Sequence, residues 1–295
     1  MQKVGENNVS LNVKEKKRKK VSEICIYALM TLIGLILVMP YFYMIMKSLM
    51  TQEEVISPQI KFFPAKPQFS NYAQILQDKG YLSAFGNTMK VILFNLIAVP
   101  VSATFIAFGF ARCEFVGKKP LFAFMLSTMM LPGVVTQIPL YILYTKIGWI
   151  NTLLPMTIPN LTGGGALYIF LARSFIQSLP KEIDNAAKID GAGPLRRYFS
   201  MALPLCKPII IYIMINVFTS NWGDYYGPLV WRLDDAFPAT LAYKVFYLLQ
   251  NGATGNDQVH IRMAAGVMMS IVPATLFFIF QKQLIEGVAM DGLKG

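Results

Sequence analysis

Six stretches of this chain, residues 24–46, 91–110, 121–145, 147–172, 208–223 and 263–281, contain no charged residue. In hydrocarbon every backbone N–H and C=O needs a partner, and a helix of about 20 apolar residues meets that need across a bilayer. Four of the runs reach that length readily. The run at 91–110 extends back towards Phe85, and the short one at 208–223 becomes long enough from Leu203, with Lys207 reaching out to the interface. The expected fold is therefore all-α, a polytopic membrane protein with six transmembrane helices. Composition agrees: 15% of residues are charged, against roughly 25% in soluble domains.

Charge placement orients these helices. Residues 1–23 are polar and basic, with Lys14, Lys16, Lys17, Arg18, Lys19 and Lys20 just ahead of the first apolar run. That run is too long for a signal-peptide core and has no small-residue cleavage site, so it reads as a retained span. The expected division is a cytoplasmic basic segment, 1–23, followed by a membrane domain, 24–295. Arg112, Lys118 and Lys119 mark a second cytoplasmic loop, and Arg173, Lys181, Lys188, Arg196, Arg197 and Lys207 a third. Asp224, Asp234, Asp235 and Asp257 suit the outside. Both termini are expected in the cytoplasm.

Topology also accounts for the net charge of +11, so nucleic acid is not an expected partner. Cys25, Cys113 and Cys206 read as small apolar residues, and His260 lies in a polar loop away from any metal-binding pattern. Pro40, Pro100, Pro132, Pro139, Pro155, Pro159 and Pro273 interrupt the runs, as do Gly163, Gly164 and Gly165. Broken backbone at membrane depth is tolerated where packed neighbours re-satisfy it, which favours a bundle lining a pathway.

Residues 178–208 are the exception, a charged, helix-forming arm between apolar runs. Ser178 is a candidate N-cap, and Glu182 and Asp184 suit a helix start. Asp184 and Lys188 stand one turn apart, and Gly191 is a natural stop. After Gly193-Pro194 a second short helix is expected through Arg197 towards Leu203-Pro204. Ala186 and Ala187 would permit close insertion into another protein; a hairpin lying on the bilayer is the alternative.

Asn185-Ala186-Ala187, Asp190-Gly191-Ala192, Tyr198, Pro204 and Pro208 together resemble the EAA signature of permease subunits of binding-protein-dependent ABC importers. Residues 62–76, 220–231 and 285–295 are similar to further segments of the carbohydrate class, the maltose-type second permease. The resemblance implies a type I importer fold whose arm, between helices four and five, is a coupling helix. It implies that Ala186 and Ala187 enter a groove on a cytoplasmic ATPase, that Asp190 caps or braces the turn, that Gly191 ends the helix, that Tyr198 packs against the ATPase or the helix base, and that Asn185, Ala192 and Pro204 belong to the same coupling segment. Asn185 replaces the family's glutamate. The implied partners are a second permease subunit, an ATPase dimer carrying ATP and magnesium, an extracytoplasmic solute-binding protein and membrane lipid, in a bacterial cytoplasmic membrane. This chain itself is expected to hold no cofactor or metal and to catalyse nothing, since it has no GxxxxGK[ST] phosphate loop.

The implied cargo is a sugar or oligosaccharide moved by alternating access. Asn216, Trp222, Asp224 and Tyr225, at the outer end of helix five, have the chemistry of a sugar site; interfacial anchoring is the alternative for the two aromatics, and an interhelical hydrogen bond for Asn216. An ion-coupled secondary transporter needs intramembrane acids, which the runs lack. An intramembrane enzyme needs motifs such as HExxH or GxSxG, which are absent.

Overall fold

Proline and glycine positions decide which apolar runs become straight helices. The computed structural model describes residues 2–59, 61–234, 236–250 and 258–292, with side chains for 20, 22–59, 61–234, 236–247 and 258–281. Its helices are α1 (Gln2–Ser48), α2 (Gln52–Ile56), α3 (Ser70–Gln77), α4 (Lys79–Arg112), α5 (Lys118–Ser127), α6 (Gly133–Lys146) and α7 (Ala166–Ser178). There follow α8 (Lys181–Ile189), α9 (Pro194–Arg197), α10 (Leu203–Leu205), α11 (Lys207–Trp222), α12 (Tyr226–Trp231), α13 (Leu241–Gln250) and α14 (Val259–Gly292). The fold is all-α. The lysine-rich side chains before residue 20 lie outside the described set, as do Asp235 and Asp257.

Stretches within α1, α4 and α14 are long and apolar enough to cross a bilayer unbroken. Two more candidate spans are bent pairs: α5 with α6, at 101°, and the stretch from Pro194 to Leu205 with α11, at 75°. The expected span over 121–145 breaks into α5 and α6 because Leu131, just before Pro132, is held extended (φ −79°, ψ 121°). The run at 147–172 also differs from a single span. It forms two 3₁₀ turns, Leu154–Met156 and Ile158–Thr162, and then the 13-residue α7. Gly163, Gly164 and Gly165 separate them at positive φ. A Cβ on Gly164 would meet Val99 Cγ1 at 2.5 Å, so only glycine lets this crossing approach α4.

The chain divides into two units, 1–72 with 257–267, and 73–256 with 268–295. In the first, side chains tie down the segment around α2. Thr51 and Glu54 make a reciprocal capping box at the start of α2. Glu54 Oε1 also accepts the Ala65 N–H at 2.9 Å, and Asn71 donates to the carbonyls of Ser48 and Met50. The Thr51 and Ala65 N–H groups hold the Glu54 carboxyl below its ordinary range.

In the second unit α4 is central. Val99, Ala103 and Ala107, four residues apart, form a stripe against Ile169, Ala172 and Ile176 of α7 and Ile209, Ile213 and Val217 of α11. Lipid tails are as apolar as these side chains, so close packing of small residues, rather than expulsion of water, holds helices together here. One buried polar junction reinforces the stripe. Asn95 donates to Met156 O at 3.0 Å and to Asn221 Oδ1 at 2.8 Å, joining α4, a 3₁₀ turn and α11.

Candidate functional site

The arm between α7 and α11 is built by local rules. Pro180 precedes α8 with φ −54° and ψ 130°, and no side chain caps the helix. Ser178 instead ends α7 and donates to Phe175 O, which corrects its expected capping role. Glu182 and Asp184 do occupy the first turn, where the helix dipole favours them. At the other end Gly191 N–H donates to Lys188 O at 3.1 Å and Ala192 N–H to Ala187 O at 2.9 Å. Those two bonds, with Gly191 at φ 74°, are a Schellman stop. The spacing Ala187…Gly191-Ala192 is thus largely the spacing of a helix terminus. Asp190 is the C-cap residue, donating its own N–H to Ala186 O.

The arm is braced within itself and clamped to the bundle at two points. Arg197 Nη1 contacts both Asp184 oxygens, at 2.8 and 2.9 Å, and both side chains are largely buried. Lys188 reaches the same carboxylate at 3.1 Å. Arg112, from the end of α4, donates to Ile176 O and Leu179 O, closing the last turn of α7. Tyr198, fully buried, shares a 2.9 Å hydrogen bond with Thr104 and donates to Val101 O, while Phe105 and Phe108 flank its ring. It begins a π-helical turn, Tyr198–Ala202, of the kind found at bends.

This arrangement sorts the residues expected to couple. Asn185, Ala186, Asp190, Gly191 and Pro204 are exposed, and Ala192 is half-buried. Ala187 is fully buried within this chain, so its methyl is turned away from any groove, contrary to expectation. Tyr198 faces the helix base. Ile189, 86% exposed, together with Leu195 and Phe199, gives the outer surface of the arm an apolar character that sequence reading missed. Arg112 and Arg197 were read only for their charge; no local spacing reveals that Arg197 pairs with a residue thirteen positions earlier.

The four residues expected at a sugar site do not converge. Asn216 donates to Tyr212 O in its own helix. Trp222 is 4% exposed, donates to Met269 O at 3.0 Å and packs on Phe218 and Phe85, which corrects both the sugar-contact and the interfacial readings of its ring. Asp224 accepts the Gly227 N–H at 2.8 Å; burial pushes its carboxyl above the ordinary range despite the backbone N–H groups that oppose the shift. Tyr225, 41% exposed, stacks on Phe246 and is the most open of the four.

Known proteins agree with this architecture. The chain is similar to the Bacillus subtilis (strain 168) galactooligosaccharides transport system permease protein GanQ, 28% identical over 95% of this chain and 98% of that one. It is 30% identical to the melibiose/raffinose/stachyose import permease protein MelC of the same organism, over 87% of this chain and 91% of that one. A crystal structure of a bacterial ABC transporter involved in the import of the acidic polysaccharide alginate contains a chain of the same fold. Its TM-score is 0.74 at 20% identity, over 89% of this chain and 96% of that one. The model of the binding-protein-dependent transport system inner membrane component matches residues 103–289. That match takes in α7, the clamped arm and α11 together, and the chain belongs to this family of membrane-embedded importer permeases.

Proposed function

We propose that this permease carries a sugar or oligosaccharide inward, paired with a second permease subunit and driven by a separate cytoplasmic ATPase dimer. ATP and magnesium belong to that ATPase, and an extracytoplasmic binding protein delivers the cargo. Both termini and the arm face the cytoplasm. The sugar assignment is supported by relatives named as oligosaccharide import permeases and matched over nearly the whole chain.

The coupling role is supported by one observation: the arm ends α8 in a Schellman stop and is fastened inward to α4 through Arg112 and Tyr198. Asn185, Ala186 and Ile189 form the docking face, while the Schellman turn and the Asp184–Arg197 pair keep it from yielding when pushed. A displacement of the arm then passes through Tyr198 to the middle of α4, where the bundle rearranges between two accesses.

Cysteine at position 186 tests this directly. In the assembled transporter Ala186→Cys is expected to crosslink to the ATPase subunit, whereas Ala187→Cys, pointing inward, is not. Crosslinking of neither, or of Ala187→Cys alone, would overturn the docking face. Uptake of labelled galacto-oligosaccharides in cells lacking other sugar importers tests the cargo; uptake indifferent to loss of this chain would remove it.

A further inference from the structure

Separate from the docking face lies a cavity of about 710 Å³ lined by α4, α5, α7 and the loop 113–117. Its walls carry Lys118, Lys119 and Arg173 against a single acid, Glu114. Glu114 is spent on Lys118, 3.1 Å away, which also donates to Cys113 O. Arg173 is held in place, its guanidinium 4.1 Å from the centre of the Phe122 ring and its Nε donating to Phe110 O. Lys119 is exposed. The site therefore has a positive excess, with one cation fixed and another free to close over a ligand.

The same helix supplies an apolar track. Lys119, Phe122, Ala123 and Leu126 line the cavity at i, i+3, i+4 and i+7 of α5. That spacing puts them on one face, with the cation at one end and the last apolar group about 10 Å further along the axis. Phe110 stands opposite, 5.3 Å from the Phe122 ring centre. A cationic mouth above an apolar slot fits a molecule with a phosphate at one end and a hydrocarbon chain at the other.

We infer that this cavity holds one anionic phospholipid, its headgroup phosphate between Lys119 and Arg173 and an acyl chain along Phe122, Ala123 and Leu126. Basic pockets between spans on the cytoplasmic side suit such headgroups, each cation contributing about fivefold in affinity. Facing the cytoplasmic leaflet rests on the orientation proposed above; the lipid chemistry does not.

Native mass spectrometry of the delipidated full-length chain, titrated separately with phosphatidylglycerol and phosphatidylcholine, provides the test. One phosphatidylglycerol is expected to bind preferentially, and glycerol phosphate, which lacks the chains, is expected not to displace it. Lys119→Gln changes an exposed side chain and is expected to weaken phosphatidylglycerol binding about fivefold, with phosphatidylcholine unaffected. Arg173→Gln should do the same, and Lys66→Gln, between α2 and α3 in the other unit, should not. Equal binding of the two lipids, displacement by glycerol phosphate, no effect of Lys119→Gln, or an equal effect of Lys66→Gln would each overturn the site. Cysteine at position 119 separates the orientation: labelling from outside intact cells would reverse the topology whatever the lipid result.

Discussion

At the scale of single residues, a few side chains fix what the periodicity of the chain leaves open. Arg197→Leu leaves Asp184 in a largely buried position with only half-exposed Lys188 as partner. Breaking a buried pair on one side costs about 3–5 kcal/mol; Lys188 holds this case to about 3 kcal/mol, read as a lower unfolding temperature in detergent. Gly191→Val places a β-branched residue at φ 74°, about 1–2 kcal/mol of strain, and is expected to lower transport per ATP hydrolysed while membrane insertion stays intact. A normal ratio would remove the arm from coupling. Glu54 makes stability depend on pH. Its folded pKa lies below its ordinary value of 4.5, so its contribution is present above that value and lost as pH falls through the folded one. Once corrected for the intrinsic slowing of amide exchange at low pH, the protection of the Ala65 N–H should fall on acidification, and Glu54→Gln should abolish that dependence. Asp224 has the opposite sign: its raised pKa makes stability fall as pH rises from the unfolded value through the folded one.

At the scale of elements, the apolar runs and the arm were legible because burial in lipid and helix stopping both follow local rules. Leu131-Pro132 and the triple glycine at 163–165 announce interruptions, but not their consequences. Whether such a break becomes a 101° bend or a pair of 3₁₀ turns depends on what packs beside it. The Asp184–Lys188 pair was readable from helical spacing, whereas Asp184–Arg197 needed the turn at Gly193-Pro194 to bring the two together. Trp222 shows the same limit. Its immediate neighbours in sequence are polar, and Phe85 and Met269, both distant in the chain, bury it together with Phe218. The crossing at Gly164 can be tested as an element: Gly164→Ala should destabilise by about 1–3 kcal/mol through overpacking against Val99. Adding Val99→Ala should recover part of the loss, the rest remaining because φ at 164 is +64°.

At the scale of the whole molecule, helix packing and polar junctions divide the work of holding and moving. The Asn95 junction joins three elements, α4, a 3₁₀ turn and α11. Double-mutant cycles between Asn95 and Asn221 are expected to give a coupling of about 0.6 kcal/mol, the average for hydrogen bonds between membrane helices. So small a value would let the junction part during a transport cycle without unfolding the bundle. The Tyr198 attachment has the contrary character. It meets α4 at Val101 and Thr104, right after Pro100 has removed one rung of that helix's ladder. Under the proposed coupling role, a twist passed through Tyr198 would reach the central column beside the place where its ladder is one hydrogen bond short.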